Sequence, residues 1–145
     1  MNPTELETEP IDDLLSAECP SVSGRSTLTY TVGRHQANQT LHLRIADNTG
    51  KGIWCKDWAR ADVIEKVVIG KLELTAKSFY GVHPGRSINT AGFVLAALRD
   101  LGFIRPNEEN TRLHEHVPMT TLEQVVMARM KGEVPKARRK AKELA

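Results

Sequence analysis

At 145 residues, the chain is long enough to bury a real core as one domain with tails. Its 40% apolar and 26% charged residues are ordinary globular values, and no run approaches the roughly 18 apolar residues of a membrane span. Two cysteines, Cys19 and Cys55, are too few for a disulfide framework or a four-Cys zinc site, and no basic-then-apolar leader opens the chain. These features lead to the expectation of a reduced, cytoplasmic protein with no cofactor, no metal and no membrane contact.

The net charge of +2 conceals an asymmetry. Six of the 18 acidic side chains fall in residues 1–18, which hold no Lys or Arg; the remainder carries 12 acids against all 20 bases, a net of +8. Five of those bases crowd into Lys136, Arg138, Arg139, Lys140 and Lys142. Such a run can neutralise phosphates and release counterions without reading sequence, or simply form a solvated terminal helix.

In chain order, residues 1–20 read as an acidic flexible segment, with Pro3, Pro10 and the acids opposing packing and Ile11–Leu15 able to dock as one helical turn. A single globular domain is expected over 21–132 and a basic tail over 133–145. Leu28-Thr29-Tyr30-Thr31-Val32 and Leu41-His42-Leu43-Arg44-Ile45 alternate with period two, as half-buried strands do. Asp47–Gly52 is a turn signal leading to a third short strand, Ile53–Cys55. This predicts an α+β fold that opens with a three-stranded antiparallel meander, with Leu28, Tyr30, Val32, Leu41, Leu43 and Ile45 facing the core.

Asp57 suits an N-cap for a helix ending near Gly70. Residues 71–79 are ambiguous between strand and helix, and 81–85 read as loop. Ser87 is placed as the N-cap of a helix whose Ile88, Ala91, Leu95, Leu98 and Leu101 share a face, with Gly102 at the left-handed stop. A polar loop and a return strand over Leu113–Val117 follow. Thr120 to Glu123 matches a capping box for a helix reaching Gly132, and Pro135 starts a basic terminal helix.

The order Ser87-x-x-Thr90, Leu95-x-x-Leu98-x-x-x-Gly102-Phe103-Ile104, then an Arg-bearing turn, resembles the MarR-like winged helix-turn-helix regulators over roughly residues 74–119. The resemblance implies a winged-helix-like unit within 57–119. The start of helix 87–101 would enter a DNA groove through Arg86, Ser87, Asn89 and Thr90, while Arg105 and Arg112 on the wing would touch phosphate. Residues Lys136, Arg138, Arg139 and Lys140 would add nonspecific affinity for duplex DNA. Two features depart from that pattern: the middle of the helix, Ala91–Leu98, is apolar nearly all round, and Glu108, Glu109 and Glu115 neutralise the wing.

Other motifs are weaker. Ser23–Thr27 lacks the glycine, the lysine and the following helix of a phosphate-binding loop. His114 and His116 would lie on one side of a strand as exposed side chains, with no further ligands nearby in sequence. No nucleophile elbow or other catalytic motif appears, and Cys55 beside Lys56 reads as a small hydrophobe. Trp54, Trp58, Tyr30, Phe79 and Tyr80 are candidate stacking platforms beside Arg44 and Lys51, although core packing accounts for most of them. The leading expectation is a small non-enzymatic nucleic-acid-binding regulator. Its rival is a protein-interaction module, partner or self-associating homodimer, that uses the apolar helix around Phe93.

Overall fold

Alternating apolar residues bury one face of a strand, and three such runs build most of this sheet. A computed structural model describes residues 10–83 and 88–132 of the chain. Strands β1 (Ile11–Pro20), β2 (Thr27–His35), β3 (Leu41–Asn48) and β4 (Ala59–Arg60) form one antiparallel sheet in the order β1-β2-β3-β4. All six expected core residues of β2 and β3 are buried.

Two expectations for this region are corrected. Residues 11–20 are a ten-residue strand, neither flexible nor a helical turn. β1 pairs along all of β2 from Ile11↔His35 to Pro20↔Thr27, with a register shift between Asp13 and Leu15. The shift lets Leu15, Ala17 and Cys19 pack on the core while Asp12, Asp13 and Glu18 stay exposed, so the acids do not prevent pairing. The segment Ile53–Cys55 is not a strand; the fourth strand is Ala59–Arg60, opposite Leu43 and His42. Here the backbone is held by side chains instead of a ladder, because the Cys55 N–H donates to Thr90 Oγ1 at 2.8 Å.

Helix α1 (Ala61–Val68) buries Ala61, Ile64 and Val68 and is followed by Gly70 at φ 76°. It starts four residues after Asp57 because Ala59 and Arg60 are taken up by β4. The ambiguous stretch resolves into an extended segment, whose Leu74 bridges to His114, and a 3₁₀ helix over Ala76–Val82 capped by Thr75 and Ser78.

Helix α2 (Ile88–Leu101) is the centre of the molecule, touching the 3₁₀ helix, the sheet, the following hairpin and the last helix. Ala91, Val94, Leu95, Ala96, Ala97, Leu98 and Leu101 are all buried, so its apolar circumference is the mark of a core helix covered on several sides. It stops as expected at Gly102, φ 85°, where the Gly102 N–H reaches Arg99 O and the Phe103 N–H reaches Leu98 O. Strands β5 (Ile104–Pro106) and β6 (His114–His116) then form a separate antiparallel hairpin.

Helix α3 (Leu122–Met130) is capped one residue later than the sequence indicates, by Thr121 with Gln124, because the Thr120 hydroxyl donates to Val117 O at 2.8 Å. It is tied down by buried Leu122 and Val126 and by an ion pair near each end: Arg34 to Glu123 at 2.7 Å and Arg129 to Asp100 at 3.2 Å. Tyr30 Oη donates to the same Asp100 carboxylate at 2.6 Å, which links sheet, central helix and last helix at one buried point.

Candidate functional site

The first turn of α2 carries two of the residues expected to face DNA, and both are engaged inside the protein. Thr90 is 1% exposed, its hydroxyl accepting from Cys55 N–H. This is a correction, since a threonine filled by an internal donor and covered by protein offers no groove contact. Asn89 is exposed, yet its amide donates to Ile53 O at 3.2 Å. Together with Trp54 Nε1 donating to Ile45 O at 2.9 Å, these bonds pin an otherwise irregular loop across the start of the helix. The loop displays Ile53, 80% exposed, as a large aliphatic side chain on a fixed backbone.

Beside that loop lies a cleft of about 440 Å³. The tip of the β1–β2 hairpin supplies Val22 and three serines, the 3₁₀ helix supplies Tyr80, and α2 supplies Asn89, Gly92 and Phe93. Val22 and Tyr80 are 50% and 43% exposed, and Phe93 is half-buried with its ring edge-on to Trp54 at 6.4 Å. The hairpin tip owes its turn to Gly24 at φ 76° and to Ser21, whose backbone and hydroxyl both bond within the loop. Sequence reasoning missed this cleft, because Val22 and Tyr80 lie far apart along the chain and neither belongs to a motif.

The remaining predicted site residues are scattered. Arg105 pairs with Glu115 at 2.9 Å across the hairpin, and Glu115 also accepts from Asn107. Arg112 is exposed in the hairpin loop. That hairpin leaves the C-terminal end of α2, while Asn89 sits at the other end of a 14-residue helix, about 20 Å away along its axis. Arg86, Ser87, Lys136, Arg138, Arg139 and Lys140 lie outside the described residues. Over the described residues 14 Lys and Arg meet 13 Asp and Glu, so the folded body itself is close to neutral.

The aromatic and histidine candidates resolve mostly into packing. Tyr30 and Phe79 are core. Trp58 has the Arg44 guanidinium 4.7 Å from its ring centre and His42 edge-on, and Trp54 has the Lys56 ammonium at 5.1 Å. The two strand histidines are not exposed, which is a second correction. His116 accepts from the Gly70 N–H at 3.1 Å through Nδ1, and its Nε2 lies 2.7 Å from Thr120 O. His114 is 4% exposed with neither ring nitrogen bonded, and burial lowers its pKa, with the charge of Arg99 adding to that effect. Extended residues 71–74 pack along β6 and cover it, which a reading of β6 as a free return strand does not anticipate.

Among the described residues, no three His, Cys, Asp or Glu side chains gather to hold a metal ion, and no helix is long and apolar enough to cross a membrane. No family model matches the chain, and neither a curated protein nor a solved structure matches it.

Proposed function

We propose that the chain is a non-enzymatic binding module that engages a protein partner through the cleft at the start of α2. One observation carries the reading: Val22 and Tyr80, both large and exposed, line one concave site with Phe93 at its wall, and exposed Ile53 stands on the loop beside it. Apolar side chains held out on pinned backbone gain free energy only when a partner covers them, at about 25 cal/mol per Å² of apolar area buried. The interaction surface offered by the sequence, the middle of the helix around Phe93, shifts accordingly. Ala96 and Ala97 are core, and what the helix offers the cleft is Asn89, Gly92 and Phe93.

The test is a selection of peptides from a random library against the whole protein, followed by titration of the selected peptides into variants. Tyr80→Ser and Val22→Ser, both at exposed positions, are expected to weaken binding about tenfold each, as removal of a buried apolar contact does. Selected peptides that bind both variants as well as the parent refute the reading.

A second reading keeps the winged-helix resemblance, favoured by the order of a helix followed by a short hairpin and by the basic run Lys136–Lys142. In it, duplex DNA is held by Arg86, Asn89 and Arg112 together with the terminal bases, without the buried body of α2. In anisotropy titrations of a random-sequence duplex, the logarithm of the association constant should then fall linearly with the logarithm of salt concentration. Arg112→Ala should reduce the slope by about one, and removing residues 133–145 should reduce it further. Absence of binding at low salt removes this reading.

A further inference from the structure

We propose that the partner segment is a short acidic peptide with an apolar anchor, the anchor entering between Tyr80 and Phe93 and the acids meeting a basic rim. The inference rests on the cleft reading above and adds the chemistry of its occupant. In sequence, the charged residues directly flanking the cleft walls are Arg25, beside Ser26, and Lys77, beside Ala76; no wall residue has an acidic neighbour. Lys51 joins them through the pinned loop. A Cβ at Gly50 would stand 3.2 Å from Ser26 Cβ, and one at Gly52 would stand 2.8 Å from Asn89 Nδ2 and 4.0 Å from Phe93 Cζ, so that loop abuts the cleft.

Arg25, Lys51 and Lys77 are exposed and make no ion pair among the described residues. Four bases elsewhere are committed to acids: Arg34 to Glu123, Arg60 to Asp62, Arg105 to Glu115 and Arg129 to Asp100. With basic and no acidic residues directly flanking its walls in sequence, and Lys51 on the loop beside it, the cleft has a local positive bias that favours an anionic partner. A peptide fits better than single-stranded nucleic acid. Stacking platforms present successive flat rings, whereas Val22 and Ile53 are aliphatic and Phe93 already packs edge-on to Trp54.

The experiment titrates the full chain with a short fluorescent peptide that carries Leu-Phe flanked by Glu. The controls are the same peptide with Lys for Glu, the same with Ser for Leu-Phe, and an oligothymidylate. The expected result is saturable binding of the acidic apolar peptide that weakens with salt, with both peptide controls at least about tenfold weaker. The double variant Arg25→Glu/Lys51→Glu should lose about tenfold for the acidic peptide, at roughly threefold per exposed pair, and should gain affinity for the Lys peptide. That exchange of preference is a readout that a merely misfolded variant would not give. Equal or tighter binding of the Lys peptide by the parent protein overturns the acidic inference while leaving the cleft reading standing. If a bound peptide is indifferent to Tyr80→Ser, the cleft reading falls as well. Binding of oligothymidylate alone, weakened by the double variant, overturns the proposal in favour of nucleic acid. Failure of all four ligands to bind overturns it outright.

Discussion

Replacing Tyr30 by Phe removes one oxygen from the point where sheet, α2 and α3 meet, and its cost follows from the partners. Tyr30 is fully buried and donates to Asp100 Oδ2 at 2.6 Å. Asp100 is 7% exposed and is neutralised by Arg129, whose guanidinium also bonds its main-chain carbonyl. A hydrogen bond to an ionised acceptor contributes about 1.5–3 kcal/mol, and Asp100 retains Arg129 when the hydroxyl goes, so about 2 kcal/mol is expected. With a urea m-value of about 1–3 kcal/mol/M, the unfolding midpoint should fall by about 1 M without a change in slope. Because the loss acts through Asp100, Tyr30→Phe in an Asp100→Asn background should cost at least about 1 kcal/mol less than in the parent. Burial, reinforced by the hydrogen bond to Asp100 and its charge, pushes the Tyr30 hydroxyl well above its ordinary pKa near 10, against a smaller opposing pull from Arg129. Above about pH 10 the unfolded chain therefore gives up this proton first, and stability falls as pH rises. Tyr30→Phe should flatten that alkaline loss. The tyrosinate absorbance of Tyr30 should appear only with unfolding. A change under about 0.5 kcal/mol, or equal costs in the two backgrounds, would refute this account of the buried cluster.

Three further outcomes follow from other contacts. Gly33→Ala should lower stability by about 1–3 kcal/mol in thermal unfolding, because its Cβ would come 2.4 Å from Ile11 Cγ2 and 2.9 Å from Trp58 Cη2; an unchanged melting temperature would show that Ile11 gives way. His42 and His114 both have pKa values lowered mainly by burial, so stability is complete above about pH 6.5 and declines below it as the unfolded chain takes up protons first. His114→Leu should flatten this acid limb and be no less stable at neutral pH, since neither ring nitrogen is bonded; a loss above about 1 kcal/mol would contradict it. Thr90→Val should leave the Cys55 N–H without its acceptor, speeding hydrogen exchange at that amide and costing about 1–3 kcal/mol, while the amides of the β2–β3 ladder stay protected.

Local chemistry made much of the fold legible. The alternation of Leu28 to Val32 and Leu41 to Ile45, and the stop at Gly102, depend on neighbours along the chain, and each has the predicted form. β1 was not legible because its acids sit on the exposed side of a strand that exists only when β2 is beside it. The candidate site was least legible. Asn89 and Thr90 stand where a recognition helix would expose them, but what they meet is a loop from 36 and 35 residues away in sequence.

The sequence by itself determined which stretches could bury one face, where the helices stop, and that the charge excess lies largely toward the C-terminus. These are properties of spacing and residue type. Only the tertiary structure decided that the apolar helix is the core and not a reading surface, that Arg105 is committed to Glu115, and that Val22, Tyr80 and Phe93 share one cleft. Burial and convergence depend on which distant segments meet, and periodicity records only the face that each segment turns inward.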